Sequence, residues 1–448
     1  MTKPVASYEL DEKRFLTLLG KLIGETENLQ NRPPALIPIE DNAGRHVIEA
    51  LTSYLKANGG VLALEQVHCD PVNYPKRGNI IIEYPGTSKG TSSPKTISFV
   101  GSHLDVVPAD KTAWDRNPFQ LIIEGDKLYG RGTTDCLGHV ALLTDLFIQL
   151  ATEKPALKHS IFAVFIVSEE NDEIPGIGVD ALDHSGKMNP CKNGPVYWVD
   201  SADSQPTIGT GGGAQTWNLT AHGKNMHSAM PYRTVNSVEL VNEALAEIQR
   251  RFYINFKPHP KEAEYKFDCS STMKPTLWKP IAGSYNTIPG ESTICGDIRL
   301  TPFYDMKEMR AKVEGYIKDI NANITELRNR GPYSKYDVPA SEGVEPVKGS
   351  VSIEWLGEAS AGVACKLDSD GYKALGKATS EILGSLTPVA TCGTLPLVLD
   401  LQDSGFDIQI TGFGKEETYH ADNEYALLSD FKNAIKILSR TIDLLEKN

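Results

Sequence analysis

Histidine and carboxylate side chains follow an apolar run near the middle of the first half of this chain. The run Thr96–Val100 ends at Gly101, and His103 and Asp105 come directly after it. A short β-branched run bounded by glycine is typical of a buried strand, and α/β sheets bind ligands beyond such strand ends. His103 and Asp105 share one face of an extended chain, where imidazole and carboxylate together suit zinc or a similar divalent ion. The alternative is a surface turn with an incidental histidine.

Further candidate ligands occur at the ends of other predicted strands and in one late loop: Asp135, Glu169, Glu170, Asp200 and His420. Two histidines and several carboxylates can hold two divalent ions if one carboxylate bridges them, and the pKa of a shared water then falls towards neutrality. Adjacent strand residues point in opposite directions, so we expect Glu169 and Glu170 to divide the roles of base and ligand. The alternatives are a solvated loop for the glutamate pair and a helix N-cap for Asp135.

The elements that must position these residues form an α/β pattern. Amphipathic helices open the chain, and apolar strands then alternate with helices up to about residue 210, which predicts a mostly parallel sheet flanked by helices. Residues 211–366 instead contain half-buried strands and two helices in a β-α-β-β-α-β order, which predicts an inserted α+β, ferredoxin-like domain. The α/β pattern returns over residues 367–448. We therefore expect one catalytic domain in two parts, 1–210 and 367–448, interrupted by a second domain.

Composition excludes several classes of function. The formal net charge of -13 argues against nucleic acid and against anionic membrane surfaces as partners. The seven scattered cysteines include no Cys-x-x-Cys pair, which is typical of a reducing compartment rather than of a disulfide framework or a thiolate zinc site. Neither a signal peptide nor an apolar stretch of membrane-spanning length is visible, so we expect a cytoplasmic protein.

Five segments, in order along most of the chain, carry a resemblance to known proteins: Gly101–Pro108, Trp114 with Asn117–Phe119, Leu128–Asp135, Ser168–Glu170 and Tyr419–Tyr425. They resemble the co-catalytic zinc hydrolases that include acetylornithine deacetylase, succinyl-diaminopimelate desuccinylase, aminoacylase and glutamate carboxypeptidases. The residue types in Gly132–His139 and Tyr197–Asp203 are similar to those of the eukaryotic acetylornithine deacetylase branch.

The resemblance implies roles for individual residues. His103, Asp135 and Asp200 would hold one metal ion, and Asp135, Glu170 and His420 the other, with Asp135 as the bridge. Glu169 would be the general base, and Asp105 would orient His103. In the inserted domain, which the resemblance makes a lid and dimerisation domain, His227 would stabilise the oxyanion, commonly across a dimer interface. Asn286 and Arg299 would meet the carboxylate or acyl end of the substrate. The alternatives are an exposed loop histidine, a turn asparagine and a surface arginine.

The reaction that the resemblance implies is removal of the acetyl group from N2-acetyl-L-ornithine by a water held between two metal ions, most simply zinc, with cobalt or manganese as other options. An aminoacylase, a dipeptidase and a metal-poor binding protein are the alternatives. Two departures from the family pattern leave questions open: Asp203 is a rival of Asp200 as ligand, and Gly393-Thr394-Leu395-Pro396 replaces the commoner Gly-Thr-Asp-Ala, which leaves the substrate pocket undefined.

Overall fold

The computed structural model describes residues 3–170, 174–200, 202–211, 213–280, 283–391 and 395–447. The chain divides into two compact units. Unit 1 comprises residues 1–208, 365–389 and 397–448, and unit 2 comprises residues 209–364 and 390–396. Each unit has its own hydrophobic core. Within the described residues, no helix has the length and apolar character needed to cross a bilayer.

The elements alternate between helix and strand through most of the chain. The helices are α1 (Glu12–Glu25), α2 (Glu40–Asn58), α3 (Leu137–Glu153), α4 (Val179–His184), α5 (Ser237–Asn255), α6 (Pro260–Glu264), α7 (Met306–Ala322), α8 (Asp370–Leu383), α9 (Pro396–Asp403) and α10 (Leu428–Glu446). The strands are β1 (Ala63–His68), β2 (Gly78–Tyr84), β3 (Thr96–His103), β4 (Ile122–Glu124), β5 (Lys127–Tyr129), β6 (Ser160–Ile166), β7 (Pro195–Val199), β8 (Thr207–Thr210), β9 (Gly213–His222), β10 (Met226–His227), β11 (Thr272–Trp278), β12 (Thr287–Ile288), β13 (Glu291–Leu300), β14 (Asp337–Val338), β15 (Val347–Lys348), β16 (Ser350–Ser360), β17 (Val363–Ala364), β18 (Val389–Thr391), β19 (Asp407–Thr411) and β20 (Tyr425–Leu427).

The central sheet of unit 1 has β1-β2-β6-β3-β7-β19 as consecutive neighbours. Strands β6, β3, β7 and β19 are parallel, and β2 and β1 add antiparallel pairs at one edge. The prediction of a mostly parallel sheet is therefore confirmed. Because the carboxyl ends of parallel strands meet at one edge of a sheet, the segments that follow β3, β6, β7 and β19 converge there.

Helices cover this sheet because their apolar residues recur at helical spacing. Helix α3 is buried along almost its whole length and packs against α1, α2 and α10. A helix that is apolar all round is stable only inside a core, which explains this central position. The outer helices begin at side-chain caps: Asp11 and Ser369 accept backbone N–H groups in the first turns of α1 and α8.

Unit 2 is an α+β structure. Its main sheet is antiparallel, in the order β11-β13-β9-β16, and α5 and α7 pack on it. Taken along the chain, the elements follow the predicted order β9-α5-β11-β13-α7-β16, and the ferredoxin-like α+β arrangement is confirmed. The last strand, β16, pairs with β9 from Ser350 to Leu356, and the pairing resumes at Ser360 after an irregularity.

Candidate metal centre

His103 lies at the carboxyl end of β3 and is fully buried. The pairing of β3 with β6 is irregular between Val100 and His103, so β3 carries an extra residue there. Gly101 makes this possible: its φ is 95°, and a Cβ atom at this position would lie 2.5 Å from the ring of Trp198. A bulge of this kind changes the direction in which the next side chains point. It aims the imidazole of His103 at the loop that ends in Asp135.

Asp135 lies between two imidazoles. Its Oδ1 atom is 2.9 Å from Nε2 of His103, and its Oδ2 atom is 3.1 Å from Nε2 of His420. The residue is buried and immediately precedes Cys136, the N-cap position of α3. A single carboxylate with one oxygen on each imidazole has the arrangement required of a ligand shared by two metal ions.

Asp105 contacts both His103 and the segment that follows β6. The backbone carbonyl of Asp105 lies 2.8 Å from Nδ1 of His103, so Nδ1 carries the proton and Nε2 is free to act as a ligand. Its carboxylate accepts the N–H groups of Glu169 and Glu170 at 3.3 and 3.1 Å, and the amide of Asn31 at 2.7 Å. Asp105 therefore positions three predicted site residues, two more than the sequence indicated.

The two glutamates point to different parts of the site. Oε2 of Glu170 is 2.9 Å from Nε2 of His420, and Oε2 of Glu169 is 3.9 Å from Nε2 of His103. His420 itself has a φ of 58°, an uncommon backbone conformation for a residue with a side chain, and its ring is half-exposed. This conformation directs a ring from a late loop at the Asp135 carboxylate.

Asp200 and not Asp203 joins the group around His103. Oδ1 of Asp200 is 3.6 Å from Nε2 of His103, and its backbone N–H donates to Thr411. Gly412 permits this approach, because a Cβ atom there would lie 1.3 Å from the carbonyl oxygen of Asp200. Asp203 is exposed and accepts the backbone N–H of Glu416 at 3.0 Å. The geometry favours Asp200 as the ligand.

The donor atoms form two groups that share Asp135. One contains His103, Asp135, Asp200 and Cys136, and the other contains Asp135, Glu170 and His420, with ligand atoms within 4.8 Å of one another in each. Imidazole and carboxylate donors at these separations fit divalent ions such as zinc. Oε1 of Glu170 is buried and has no hydrogen-bond partner in the described part of the chain. The sulfur of Cys136 instead accepts the N–H of His103 at 2.9 Å.

The charges of the site are those of a cation-binding centre. Burial, followed by the charge of Asp200, raises the pKa of Glu169 well above its usual range. Burial and the charge of Asp135 raise the pKa of Glu170 to about 7, and hydrogen bonds to Asp135 and Glu170 raise the pKa of His420 to about 10. Carboxylates crowded in a region of low dielectric repel each other, and divalent cations relieve that repulsion.

Burial also raises the pKa of the Cys136 thiol well above its usual range. A protonated thiol is a poor metal ligand. The carboxylates and imidazoles are therefore the ligand set that the site offers.

Two residues that the sequence analysis did not single out complete the site. The carboxylate of Glu424 is fully buried and accepts the N–H groups of Gly132, Thr134 and Asp135. Asn31 donates to Asp105 from the loop before α2. Glu424 lies within the segment Tyr419–Tyr425 that carries the family resemblance, four residues after His420, and this was the available signal; no local pattern indicates Asn31.

The other predicted site residues belong to unit 2. His227 in β10 pairs with Thr287 in β12, and the carbonyl of Asn286 accepts the N–H of Ser228 at 2.8 Å, so these two loops lie side by side. Nδ1 of His227 accepts the N–H of Ala229, which leaves Nε2 protonated and exposed. Arg299 is half-exposed and donates to Asp297 at 2.7 Å. Gly393 and Thr394 lie outside the described residues.

His139 is buried in the first turn of α3 and is expected to make the stability of the protein depend on pH. Its Nε2 accepts the N–H of Phe413 at 2.8 Å, and burial lowers its pKa from 6.5 to about 4. As the pH falls, His139 is protonated in the unfolded chain before it is protonated in the folded protein. The contribution of neutral His139 to the free energy of unfolding is therefore complete above pH 6.5 and is lost as the pH falls to 4. The shift corresponds to about 3 kcal/mol at 1.36 kcal/mol per pKa unit.

The measurement is denaturant unfolding of the metal-free protein at pH 7 and pH 4. We expect His139→Gln to lose about 3 kcal/mol less stability over this range than the unchanged chain, since the variant cannot bind the proton. His184→Gln, at an exposed position, is the control. Equal pH dependence in all three proteins would contradict the buried, neutral state of His139.

Two features define the class of this protein. One is a mostly parallel α/β unit in which two donor groups share a carboxylate, and the other is an inserted α+β unit. Together they are those of a metal-dependent hydrolase with a dinuclear centre. The model of peptidase family M20/M25/M40 matches residues 99–444. The chain belongs to this family, and the predicted family and metallohydrolase class are both confirmed.

Individual relatives agree with this assignment. An acetylornithine deacetylase from Dictyostelium discoideum is 99% identical over 448 residues, which is 100% of each chain. An acetylornithine deacetylase from Arabidopsis thaliana is 50% identical and covers 98% of this chain and 97% of its own. Among solved structures, human carnosine dipeptidase 1 has the same fold, with a TM-score of 0.61 at 16% identity over 98% of this chain and 97% of its own.

Proposed function

We propose that this chain hydrolyses the amide of N2-acetyl-L-ornithine to give L-ornithine and acetate, and so serves arginine biosynthesis. The observation that carries the proposal is the 99% identity over the whole chain to a protein described as an acetylornithine deacetylase. The geometry of the metal centre supports the same class of reaction. A metal-poor binding role is disfavoured because all five predicted ligands lie within the two donor groups.

The five ligands would be His103, Asp135, Asp200, Glu170 and His420, and Asp135 would serve both ions. Two divalent ions, most simply zinc, polarise the amide carbonyl and lower the pKa of the attacking water when they are bound. The remaining chemistry belongs to side chains of this protein. Each residue role below follows the family resemblance.

Glu169 acts as the general base. Its carboxylate lies beside the His103 group and is not needed to complete either set of ligands. Burial raises its pKa, so the carboxylate accepts a proton more readily than an exposed glutamate would. It takes a proton from the water and delivers it to the nitrogen of the leaving amino group. Asp105 holds Glu169 in place through the hydrogen bond to its backbone N–H.

His227 donates from Nε2 to the oxygen of the carbonyl as negative charge develops there, and the donor comes from the partner subunit of a homodimer. Its tautomer supports this role, because Nδ1 accepts the N–H of Ala229. Asn286 and Arg299 bind the carboxylate or the acyl end of the substrate, and the planar guanidinium group is well shaped for a carboxylate. The enzyme works in the cytoplasm, as the cysteine content indicates.

For His227→Ala we expect folding and metal content to be unchanged and kcat to fall by roughly 10²- to 10³-fold, which is the usual cost of one oxyanion donor. The residue is exposed, so truncation of its side chain should leave the core of the unit intact. The measurement is steady-state kinetics with metal analysis of the same samples. His222→Ala, at a half-exposed histidine of the same unit, is the control. Unchanged turnover in His227→Ala would show that this residue has no part in the mechanism.

The proposed function is tested by hydrolysis of N2-acetyl-L-ornithine, N-acetyl-L-methionine and a dipeptide, followed as release of the free amino acid and measured side by side with metal content. We expect the highest kcat/KM with N2-acetyl-L-ornithine and two equivalents of zinc. Preference for N-acetyl-L-methionine or for the dipeptide would replace the substrate assignment. Zinc at full occupancy with no hydrolysis of any of the three substrates would refute the proposal that the protein is a hydrolase of this kind.

A further inference from the structure

We infer that Glu424 is a positioning residue that holds the bridging ligand Asp135 in register with His420, and this inference rests on the proposed metal centre. The carboxylate of Glu424 accepts three backbone N–H groups of one loop, from Gly132 at 3.0 Å, Thr134 at 2.8 Å and Asp135 at 3.1 Å. Converging N–H groups of this kind form a binding site for an anion. In this protein the anion is a side chain of the chain itself.

The same carboxylate is paired with a buried cation. Nη1 of Arg131 lies 2.8 Å from Oε2 of Glu424, and both side chains are almost completely buried. The guanidinium group of Arg131 lies 5.2 Å from the centroid of the Trp114 ring, and its Nη2 donates to the carbonyl of Pro108. Both oxygens of the Glu424 carboxylate have partners: Oε1 accepts the N–H groups of Thr134 and Asp135, and Oε2 contacts Arg131 and the N–H of Gly132. A buried carboxylate with this set of partners keeps one geometry, because a displacement would leave buried polar groups unsatisfied. Arg131 and Trp114 therefore hold the Glu424 carboxylate in place.

The contacts couple the two ends of the metal centre. Asp135 is 289 residues away from Glu424 in sequence, whereas His420 is on the same short segment as Glu424. Backbone contacts continue the link, since the N–H of Gly130 donates to the carbonyl of Glu424 and Tyr425 pairs with Tyr129 in the β20–β5 ladder. One carboxylate thus joins the loop of the bridging ligand to the segment of the second imidazole.

Glutamine in place of Glu424 has the same shape but cannot make the same hydrogen bonds and ion pair. The glutamine amide has only one acceptor oxygen, and its NH₂ group would face N–H donors of the loop. The substitution would also remove the ion pair with Arg131. The loop that ends in Asp135 would then move away from its present position. Both metal ions would share the Asp135 carboxylate, so both should bind more weakly in the Glu424→Gln variant.

The test compares Glu424→Gln with Glu446→Gln. Glu446 is a matched control, because its carboxylate also accepts two backbone N–H groups, from Lys158 and His159, but it belongs to neither donor group. Two readouts are needed: hydrogen exchange of residues 131–137 in the metal-free protein, and zinc affinity with the absorption spectrum of the cobalt-substituted protein. Neither readout requires a substrate.

We expect Glu424→Gln to speed amide exchange at Gly132, Thr134 and Asp135 without metal. Zinc affinity should fall roughly 10- to 100-fold, the usual effect of changing a residue that orients a ligand, and the cobalt spectrum should change. Glu446→Gln should leave the amide exchange, the zinc affinity and the cobalt spectrum unchanged. If Glu424→Gln does not fold, Glu424→Asp, which keeps the charge but has a shorter reach, is expected to show the same changes.

Equal exchange and equal zinc affinity in the Glu424 and Glu446 variants would overturn the inference. Failure of both Glu424 variants to fold, while Glu446→Gln folds, would make Glu424 a folding determinant and would overturn the positioning role as well. The proposed function fails separately, if the unchanged chain binds zinc as expected but does not hydrolyse N2-acetyl-L-ornithine.

Discussion

Asp135→Asn is expected to lose both metal ions and almost all activity. The two oxygens of this carboxylate lie 2.9 Å from His103 and 3.1 Å from His420, and the side chain belongs to both donor groups. An amide is neutral, and one of its two ends is a hydrogen-bond donor that cannot bind a cation. Turnover should fall by a factor on the order of 10⁴ or more, because metal loss removes much of an acceleration that typically exceeds 10⁶.

The measurement is zinc content by elemental analysis after dialysis, together with kcat/KM on N2-acetyl-L-ornithine. Asp203→Asn is the matched control: it makes the same change at an exposed aspartate near Asp200 that belongs to neither donor group. We expect Asp203→Asn to retain two equivalents of zinc. Retention of two equivalents by Asp135→Asn would show that the carboxylate does not bridge.

Glu169→Gln is expected to separate catalysis from metal binding. The side chain lies 3.9 Å from Nε2 of His103 but belongs to neither donor group, so its loss should leave both ions bound. Removing the general base should lower kcat by roughly 10²- to 10⁴-fold with little change in KM. The hydrogen bond from its backbone N–H to Asp105 does not involve the side chain and survives the substitution.

The informative comparison is with the adjacent Glu170→Gln. Oε2 of Glu170 lies 2.9 Å from His420 in the second donor group, so this variant should lose metal as well as activity. The two substitutions change the same functional group one residue apart, and only the metal content should distinguish them. Full turnover in Glu169→Gln, or metal loss in it, would reverse the assignment of base and ligand.

Much of the fold follows from local patterns in the sequence. The apolar runs that form β3, β6 and β7 are each followed by a histidine or a carboxylate, and alternation with amphipathic helices predicts parallel strands whose carboxyl ends meet. This rule alone brings His103, Glu169 and Asp200 to one edge of the sheet. The β-α-β-β-α-β order of unit 2 was likewise predictable, because half-buried strands keep a two-residue period.

The residue types and spacings determined by themselves which side chains are chemically competent, and the segments from Gly101 to Tyr425 identified the family. Only the tertiary structure distinguished Asp200 from Asp203, since both follow the same strand and differ in the direction of their side chains. It also revealed Glu424, and the hydrogen bonds that Asp105 accepts from the backbone N–H groups of Glu169 and Glu170, which are 64 and 65 positions away. Such contacts depend on loops whose paths are set by packing between distant segments, and no local periodicity records them.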